Sequence, residues 1–246
     1  MNLVIDAGNS RVKWGWHDGK AWSGIANVSL IEFAASSDHI NPFSATHDNP
    51  ARIVISNVAG DGAQQLLVNW TSIFDTEPEW VRGERERCGV RSLYERPETL
   101  GPDRWAALIA ARALEPGRAC LVVNCGTCTT VDMLNAGGEF TGGLILPGVD
   151  LMRFVLHEHT GRLPLQEGNF AGAPRNTVDA IETGCRHAQA GAVERMHRVL
   201  GGDSACLISG GGGPSLMEKL TLPCRYVENL VLEGLACIGR TNPKPA

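Results

Sequence analysis

Short apolar runs alternate with polar, glycine-containing breaks along the first part of the chain. The first run stops at residues 6–9, and alternating apolar residues then continue to Trp16. This pattern predicts two β-strands joined by a tight turn, and the sequence HDG at 17–19 predicts a second hairpin turn. The apolar run within residues 51–60 predicts another buried strand.

The apolar spacing changes to that of a helix at Pro102. Pro102 suits a first helical turn, and Asp103 suits the positive end of the helix dipole. The apolar residues that then fall on one face are Trp105, Leu108 and Ile109. The sequence EPG at 115–117 ends the pattern, so we predict an α-helix between these limits.

Residues 119–148 repeat the pattern of the N-terminal part. A strand, a polar turn with glycine, a second strand, a glycine turn and a third strand follow one another. Superposing VIDAGNSRVKW on VVNCGTCTTVDM pairs Asp6 with Asn124, Gly8 with Gly126, Asn9 with Thr127 and Ser10 with Cys128. Because internal repeats indicate repeated structural units, we predict two similar α/β halves, 1–115 and 116–246, joined near 114–119.

The two glycine turns have the chemistry of a phosphate site. Successive backbone N–H groups in such a turn bind an anion, and glycine lets the ligand approach closely. A single turn of this kind is also typical of an ordinary hairpin, but two in register favour a polyphosphate site. Asp6 can hold Mg²⁺ directly or through water. Further predicted donors are the hydroxyl groups of Ser10, Thr127, Thr129 and Thr130.

Composition narrows the class of partner. With 246 residues, 43% of them hydrophobic, the chain can form one large core or two moderate ones. A formal net charge of −5 gives no electrostatic reason to expect nucleic acid. No apolar run approaches the length of a membrane span, and the N-terminus does not resemble a signal peptide. We therefore expect a cytoplasmic protein with no membrane partner, ending in a frayed tail at 240–246.

Eight cysteines raise the question of a thiol or metal site, above all Cys125 and Cys128 in a C-x-x-C spacing. Zinc would need two more ligands, and the sequence has no second C-x-x-C pair. A thioredoxin-type pair begins a helix, whereas the residues after Cys128 are β-branched and predict a strand. We interpret the cysteines as free thiols that fill space. His157 and His159 have no third ligand at suitable spacing, which favours loop or interface histidines.

Seven motifs occur in the order found in one enzyme family. They are DAGNSRVKW, LGPDRW, NCGTCTTVD, GGLILPG, HTGRLP, NTVDAIETG and ISGGGG, within residues 3 to about 235. The sequence resembles type III pantothenate kinases of the acetate and sugar kinase/Hsp70/actin superfamily. The resemblance implies two ribonuclease-H-like domains with the active site in the cleft between them, and a homodimer. It also implies phosphorylation of pantothenate by ATP with Mg²⁺, the first step of coenzyme A synthesis.

The resemblance further implies roles for individual residues. Asp103 would be the base that accepts the pantothenate hydroxyl proton, although an aspartate at a helix start is also typical of a cap. Tyr94 is alternatively an ordinary half-buried aromatic residue, and Thr177 is alternatively a helix N-cap. The implied substrate-binding residues are Tyr94, Gly101, Pro102, Asp103, Arg104 and Thr177. The implied ATP-binding residues are Asp6, Ala7, Gly8, Asn9, Ser10, Arg11, Val12, Lys13, Gly126, Thr127, Gly210 and Gly211.

Two basic residues keep alternatives open. Arg104 has the chemistry to hold either the substrate carboxylate or the transferred phosphoryl group. Lys13 can approach the phosphates or, by strand alternation, point to solvent.

One position departs from the family pattern. The second turn of the family normally begins with an aspartate that helps to bind a monovalent cation, K⁺ or NH₄⁺, whereas this chain has Asn124. An amide oxygen can coordinate the cation but carries no formal charge, so we expect weaker binding.

Two other functions stay open from the sequence. One is phosphorylation of a different small molecule, against which YERPETLGPDRW argues because it resembles the pantothenate site. The other is a nucleotide-binding accessory protein with weak or lost kinase activity. Retention of Asp6, Asp103 and Arg104 argues against lost catalysis.

Overall fold

The computed structural model describes residues 1–37, 40 and 49–241. Its α-helices are α1 (Leu30–Ser36), α2 (Asp61–Thr71), α3 (Pro102–Leu114), α4 (Val149–Glu158), α5 (Thr177–Leu200), α6 (Gly213–Met217) and α7 (Leu230–Arg240). Its β-strands are β1 (Asn2–Ala7), β2 (Arg11–His17), β3 (Trp22–Ser29), β4 (Arg52–Asn57), β5 (Pro78–Trp80), β6 (Glu86–Arg87), β7 (Val90–Ser92), β8 (Cys120–Cys125), β9 (Cys128–Leu134), β10 (Glu139–Pro147), β11 (Ala205–Ser209) and β12 (Arg225–Tyr226). Residues 242–246 of the predicted tail lie outside the described residues.

The chain divides into two compact units. The first contains Met1–Pro116, the short segment Gly138–Phe140 and the C-terminal segment that begins at Asn229. The second contains Gly117–Gly137 and Thr141–Glu228. The predicted division at residues 115 and 116 stays a prediction, and the compact units differ from it by grouping α7 with the N-terminal residues. Among the described residues, none of the helices has both the length and the apolar character needed to cross a bilayer.

The strands form a five-stranded sheet and a seven-stranded sheet, β12-β11-β8-β9-β10-β7-β6, and five strands of each sheet follow the same order. The order is β3-β2-β1-β4-β5 in the first sheet and β10-β9-β8-β11-β12 in the second. In both, the central strand is antiparallel to the strand that follows it in the chain and parallel to the fourth strand of the repeat. The predicted repetition of two similar α/β halves is therefore confirmed.

The two central hairpins differ by one residue in the turn. The Gly8 backbone N donates to Arg11 O at 2.9 Å, whereas the Gly126 N donates to Cys128 O at 3.0 Å. Arg11 therefore corresponds to Cys128, and the first turn holds one extra residue. The predicted pairing of Ser10 with Cys128 is wrong because an ungapped superposition cannot represent turns of different length.

Alternation along β1 directs its side chains to two faces of the sheet. One face carries residues that are fully buried in an apolar core with α1 and α2, namely Leu3, Ile5 and Ala7. The other face contacts α7, where the Asn2 side chain donates from Nδ2 to Gly239 O at 2.9 Å. Asp6 shares this second face with Asn2, because the side-chain period of a strand is two.

The predicted helix at Pro102 is confirmed as α3. Gly101 is its N-cap residue, and the predicted apolar face is buried at Trp105, Leu108 and Ile109. Because Gly101 occupies the capping position, Asp103 is not the N-cap and lies one residue inside the first turn.

The start of α5 differs from prediction. Asn176 is its N-cap, and Asn176 Oδ1 accepts a hydrogen bond from the Asp179 backbone N at 2.9 Å. The alternative that Thr177 caps this helix is wrong, because an asparagine directly before it supplies the capping oxygen.

Helices α3 and α7 cross at a glycine. A Cβ at Gly234 in α7 would overlap the carbonyl oxygen of Ala106 in α3. Both Ala106 and Gly234 are buried, so neither backbone can move away without disturbing the core.

We expect Gly234→Ala to lower the free energy of unfolding by about 1–3 kcal/mol, the usual cost of overpacking. Gly191→Ala in α5 is the matched control, since a Cβ there meets nothing within 4 Å. It should be neutral or stabilising, because alanine favours a helix over glycine by about 1 kcal/mol. Urea unfolding followed by circular dichroism measures both, and equal midpoints for the two variants would contradict the close crossing.

Candidate active site

The end of β1 places a carboxylate beside an ammonium group. Asp6 and Lys13 are opposite one another in the hairpin of β1 and β2. Lys13 is half-buried, and its Nζ lies 3.4 Å from Oδ1 of Asn229, the residue before α7. The lysine therefore lies against the start of α7 and not in open solvent.

The surroundings of Asp6 disfavour a negative charge on its carboxyl group. Its pKa is raised to about 7, mainly by burial and then by the negative charge of Asp103, against the opposing charge of Lys13. Its Oδ1 atom is buried and accepts no hydrogen bond from any described residue. The nearby Ser56 hydroxyl lowers the pKa of Asp6 least of all these groups. Its Oγ is buried and makes no hydrogen bond to any described residue. A buried carboxylate oxygen without a donor suits a cation, so Asp6 fits the predicted Mg²⁺ site.

The second carboxylate of this region is held at the start of α3. Oδ1 of Asp103 accepts a hydrogen bond from the Arg104 backbone N at 2.8 Å. A Cβ at Gly101 would lie 2.6 Å from the same oxygen, so glycine leaves the carboxylate undisturbed. Burial raises the pKa of Asp103, while its backbone hydrogen bond and the charge of Arg104 lower it. A carboxylate with a raised pKa is a stronger proton acceptor.

Arg104 connects this carboxylate to Tyr94. Its side chain is buried, and Nη2 donates to the Tyr94 hydroxyl at 3.2 Å. Its Cζ lies 5.8 Å from the Tyr94 ring centroid. The structure thus brings together four of the predicted substrate-binding residues in the first unit: Tyr94, Gly101, Asp103 and Arg104.

Sequence reasoning missed the residue that holds the Tyr94 segment. The Arg85 guanidinium donates to three carbonyl oxygens of the segment 92–95, namely Ser92 O (3.1 Å), Tyr94 O (3.1 Å) and Glu95 O (3.4 Å). Nothing in the local sequence distinguishes Arg85 from a solvated arginine. Asn229 was missed for the same reason, because its partner Lys13 lies far away in the chain.

Three glycine segments meet in the second unit. The Gly148 backbone N donates to Thr127 O at 2.9 Å, and a Cβ at Gly148 would lie 2.5 Å from Gly126 O. Gly210 has a positive φ of 88°, and a Cβ there would overlap the carbonyl of Cys125. The predicted ATP-binding residues 126, 127 and 210 therefore lie together around the exposed turn between β8 and β9.

The two central hairpins carry different charges at equivalent places. The opposed pair is Asp6 and Lys13 in the first hairpin, and Asn124 and Thr130 in the second. The second unit thus has a neutral pair where the first unit has a carboxylate and an ammonium group.

The Thr129 hydroxyl, one of the predicted donors of the second turn, does not face that turn. Thr129 is fully buried, and its Oγ1 accepts a hydrogen bond from Gln189 Nε2 of α5 at 2.5 Å. The prediction that the Thr129 hydroxyl contacts phosphate is wrong, because strand alternation directs it into the core.

Thr177 belongs to the second unit and lies away from the turn between β8 and β9. It lines an apolar groove of about 600 Å³ between α4 and α5, together with Pro147 and Leu156.

The two histidines at the end of α4 do not form a metal site. His157 Nδ1 lies 2.7 Å from Leu163 O, and His159 is the C-cap residue of α4. Among the described residues, no group of three or more His, Cys, Asp or Glu side chains could hold a metal ion.

All eight cysteines lie in the described part of the chain and are free thiols, as predicted. Cys125 is buried in the core of the second unit, and burial raises its pKa to about 12. Cys128 is exposed at the start of β9. The predicted strand after Cys128 is confirmed, which excludes the helix that a thioredoxin-type pair requires.

Comparison with known proteins identifies the family. The sequence pattern of type III pantothenate kinases matches residues 2–199. The chain belongs to the type III pantothenate kinase family. A member from Aromatoleum aromaticum is 51% identical over 98% of both chains, and one from Nitrosospira multiformis is 42% identical over 99% of this chain and 93% of its own.

A solved structure supports the fold at greater distance. A Sinorhizobium meliloti protein assigned as a 2-dehydro-3-deoxygalactonokinase superposes with a TM-score of 0.63 at 16% identity, covering 98% of each chain. At this identity the likeness concerns the fold alone. The predicted fold of two similar ribonuclease-H-like domains is confirmed.

We expect the double variant Cys125→Ala/Cys128→Ala to stay folded and to keep its enzymatic activity. A buried thiol whose pKa is about 12 stays protonated at neutral pH and is a poor nucleophile. The loss should be limited to packing at Cys125. Activity and metal content measured on the same preparation test this, and stoichiometric zinc in the wild-type protein would contradict it.

Proposed function

We propose that this protein phosphorylates pantothenate with ATP and forms 4′-phosphopantothenate, the first intermediate of coenzyme A synthesis. Membership of the family supports this activity. The observation that carries it is the cluster in the first unit, where the Asp103 carboxylate lies between Gly101 and Arg104 and within electrostatic reach of Asp6.

We assign the proton transfer to Asp103. Its carboxylate accepts the proton of the pantothenate hydroxyl while that oxygen forms a bond to the γ-phosphorus of ATP. The bond to the β,γ-bridging oxygen breaks, and ADP leaves with the electron pair. The hydrogen bond from the Arg104 backbone N restrains the orientation of the Asp103 carboxylate.

We assign the binding of both substrates to the residues predicted for the site. Tyr94, Gly101, Pro102 and Arg104 contact pantothenate, and Thr177 supplies a further contact. The turn at residues 8–12, Lys13, the turn at Gly126 and Thr127, and the segment Gly210 and Gly211 bind ATP. Asp6 would hold Mg²⁺, directly or through water, and the metal would neutralise charge on the phosphates.

Three finer features belong to this proposal. A monovalent cation binds beside Asn124, whose Oδ1 lies 2.8 Å from the place of a Cβ at Gly210, so only glycine leaves room there. The protein forms a homodimer, which is supported by exposed apolar side chains on α4 at Phe154 and Val155. Its eight free thiols suit a reducing cytoplasm.

We expect Asp103→Asn to lower kcat for pantothenate phosphorylation by about 10²–10⁴-fold, the usual effect of removing a general base. ATP affinity should change little, because the carboxylate contacts the acceptor. Asp61→Asn is the matched control, since Asp61 is also an acidic residue in the first turn of a helix but is exposed.

Coupled ATP turnover with and without pantothenate separates the outcomes of this experiment. Near-normal turnover by Asp103→Asn would remove Asp103 from the mechanism. Absence of pantothenate-dependent turnover in the wild type would favour the nucleotide-binding accessory function instead.

We expect Asn124→Asp to lower the K⁺ concentration that gives half-maximal activity. A carboxylate attracts the cation with a full charge, and Thr130 supplies no ammonium group to compete for it. The measurement is a KCl titration of turnover at constant ionic strength, so that general screening is fixed. Asn69→Asp, on an exposed part of α2, controls for the added charge. Identical K⁺ curves for the wild type and Asn124→Asp would exclude residue 124 as a cation ligand.

A further inference from the structure

The Phe140 ring packs against the side chains of Tyr94 and Arg104, two of the predicted substrate-binding residues of the first unit. Phe140 lies at the start of β10 and is fully buried. Its ring centroid lies 4.8 Å from that of Tyr94 and 5.9 Å from Cζ of Arg104. The Tyr94 ring lies 5.8 Å from the same Cζ atom. The guanidinium thus has an aromatic ring within cation–π range on each of two neighbouring residues.

The backbone of Phe140 also holds the Tyr94 segment. Phe140 pairs with Ser92 of β7 in parallel, and its carbonyl oxygen accepts a hydrogen bond from the Leu93 backbone N at 3.0 Å. The hydroxyl of Ser92 in turn accepts a hydrogen bond from the Tyr94 N at 3.3 Å. Phe140 therefore holds the strand that leads to Tyr94 through its backbone, and it packs against the Tyr94 ring through its side chain.

The need for such support follows from the burial of Arg104. An arginine that is 6% exposed has lost most of its hydration, and its long side chain has several rotamers of similar energy. Aromatic faces and the Tyr94 hydroxyl select one direction for the guanidinium. A planar guanidinium in one direction presents its fork to an anion with little further loss of entropy.

We propose that Phe140 is a positioning residue that orients Arg104 and Tyr94 for binding the carboxylate of pantothenate. This inference rests on the proposed function. Phe140 does not itself touch the reacting atoms, so removing its ring weakens the binding of pantothenate and leaves ATP binding and the chemical step intact.

The test compares Phe140→Leu with Phe33→Leu. Phe33 is also fully buried in the first unit, where its ring packs against Trp70. The same substitution there reproduces the general loss of a core phenylalanine without touching Arg104. We expect Phe140→Leu to raise the KM for pantothenate by about 5- to 20-fold, the range of a desolvated cation–π contact, with kcat and the KM for ATP within about 2-fold of the control.

A double-mutant cycle shows whether Phe140 acts through Arg104. In the background of Arg104→Ala, Phe140→Leu should raise the KM for pantothenate by a smaller factor than in the wild type, because only its contact with Tyr94 remains. A full additional increase would overturn the proposal, as would the same KM in Phe140→Leu and Phe33→Leu. If Phe140→Leu does not fold, Phe140→Met removes the ring with a closer match in length, and the same outcomes apply.

The proposed function can fail separately. A wild-type protein without pantothenate-dependent turnover would contradict the function itself. Normal pantothenate kinetics in Arg104→Ala would remove Arg104 from the substrate site and with it the role of Phe140. In contrast, a large effect of Arg104→Ala without an effect of Phe140→Leu would overturn the positioning role alone.

Discussion

The carboxylate of the half-buried Asp6, one oxygen of which is buried without a hydrogen-bond donor among the described residues, sets the main constraint on this molecule. Asp6 is the last residue but one of a strand whose other residues, apart from Asn2, are apolar, and burial raises its pKa to about 7. Desolvation of this kind is unfavourable unless a positive charge approaches. Lys13 supplies part of that charge from the adjacent strand, and Asn229 holds the lysine in place. The oxygen that makes the carboxylate unfavourable in the folded chain therefore also has the chemistry to accept a cation.

The repeat then shows how one scaffold serves two kinds of chemistry. Both units place a polar residue at the end of the central strand, followed by a turn that begins with glycine. In the first unit that position is charged and faces an ammonium group. In the second it is an amide opposite a hydroxyl, Asn124 opposite Thr130, and glycines from two other segments surround the turn. The two hairpins share their strand pairing, and the side chains at these two opposed positions give them different charges.

The sequence was sufficient for most strands and for the residues of the first unit that lie near one another in the chain. Gly101, Asp103 and Arg104 are contiguous, so one helix start determines their geometry. Errors came from local competition that a pattern does not resolve. Asn176 outcompetes Thr177 for the cap, and a turn longer by one residue shifts the second half of the repeat. Phe140 and Asn229 were not predictable, because their partners lie far away in the sequence. Phe140 pairs with Ser92 of β7, and Asn229, at the start of α7, contacts Lys13 of β2.

The return of α7 to the first unit has a consequence for how the chain is made. The last described helix covers β1, and it crosses α3 so closely that Gly234 lies on Ala106. A ribosome adds residues from the N-terminus, and domains generally fold as units once their residues have emerged. The second unit is contained between Gly117 and Glu228, so its whole sequence is available before Asn229 has been added. The face of β1 that carries Asn2 and Asp6 is made before α7, so it stays uncovered by that helix until the helix has been added.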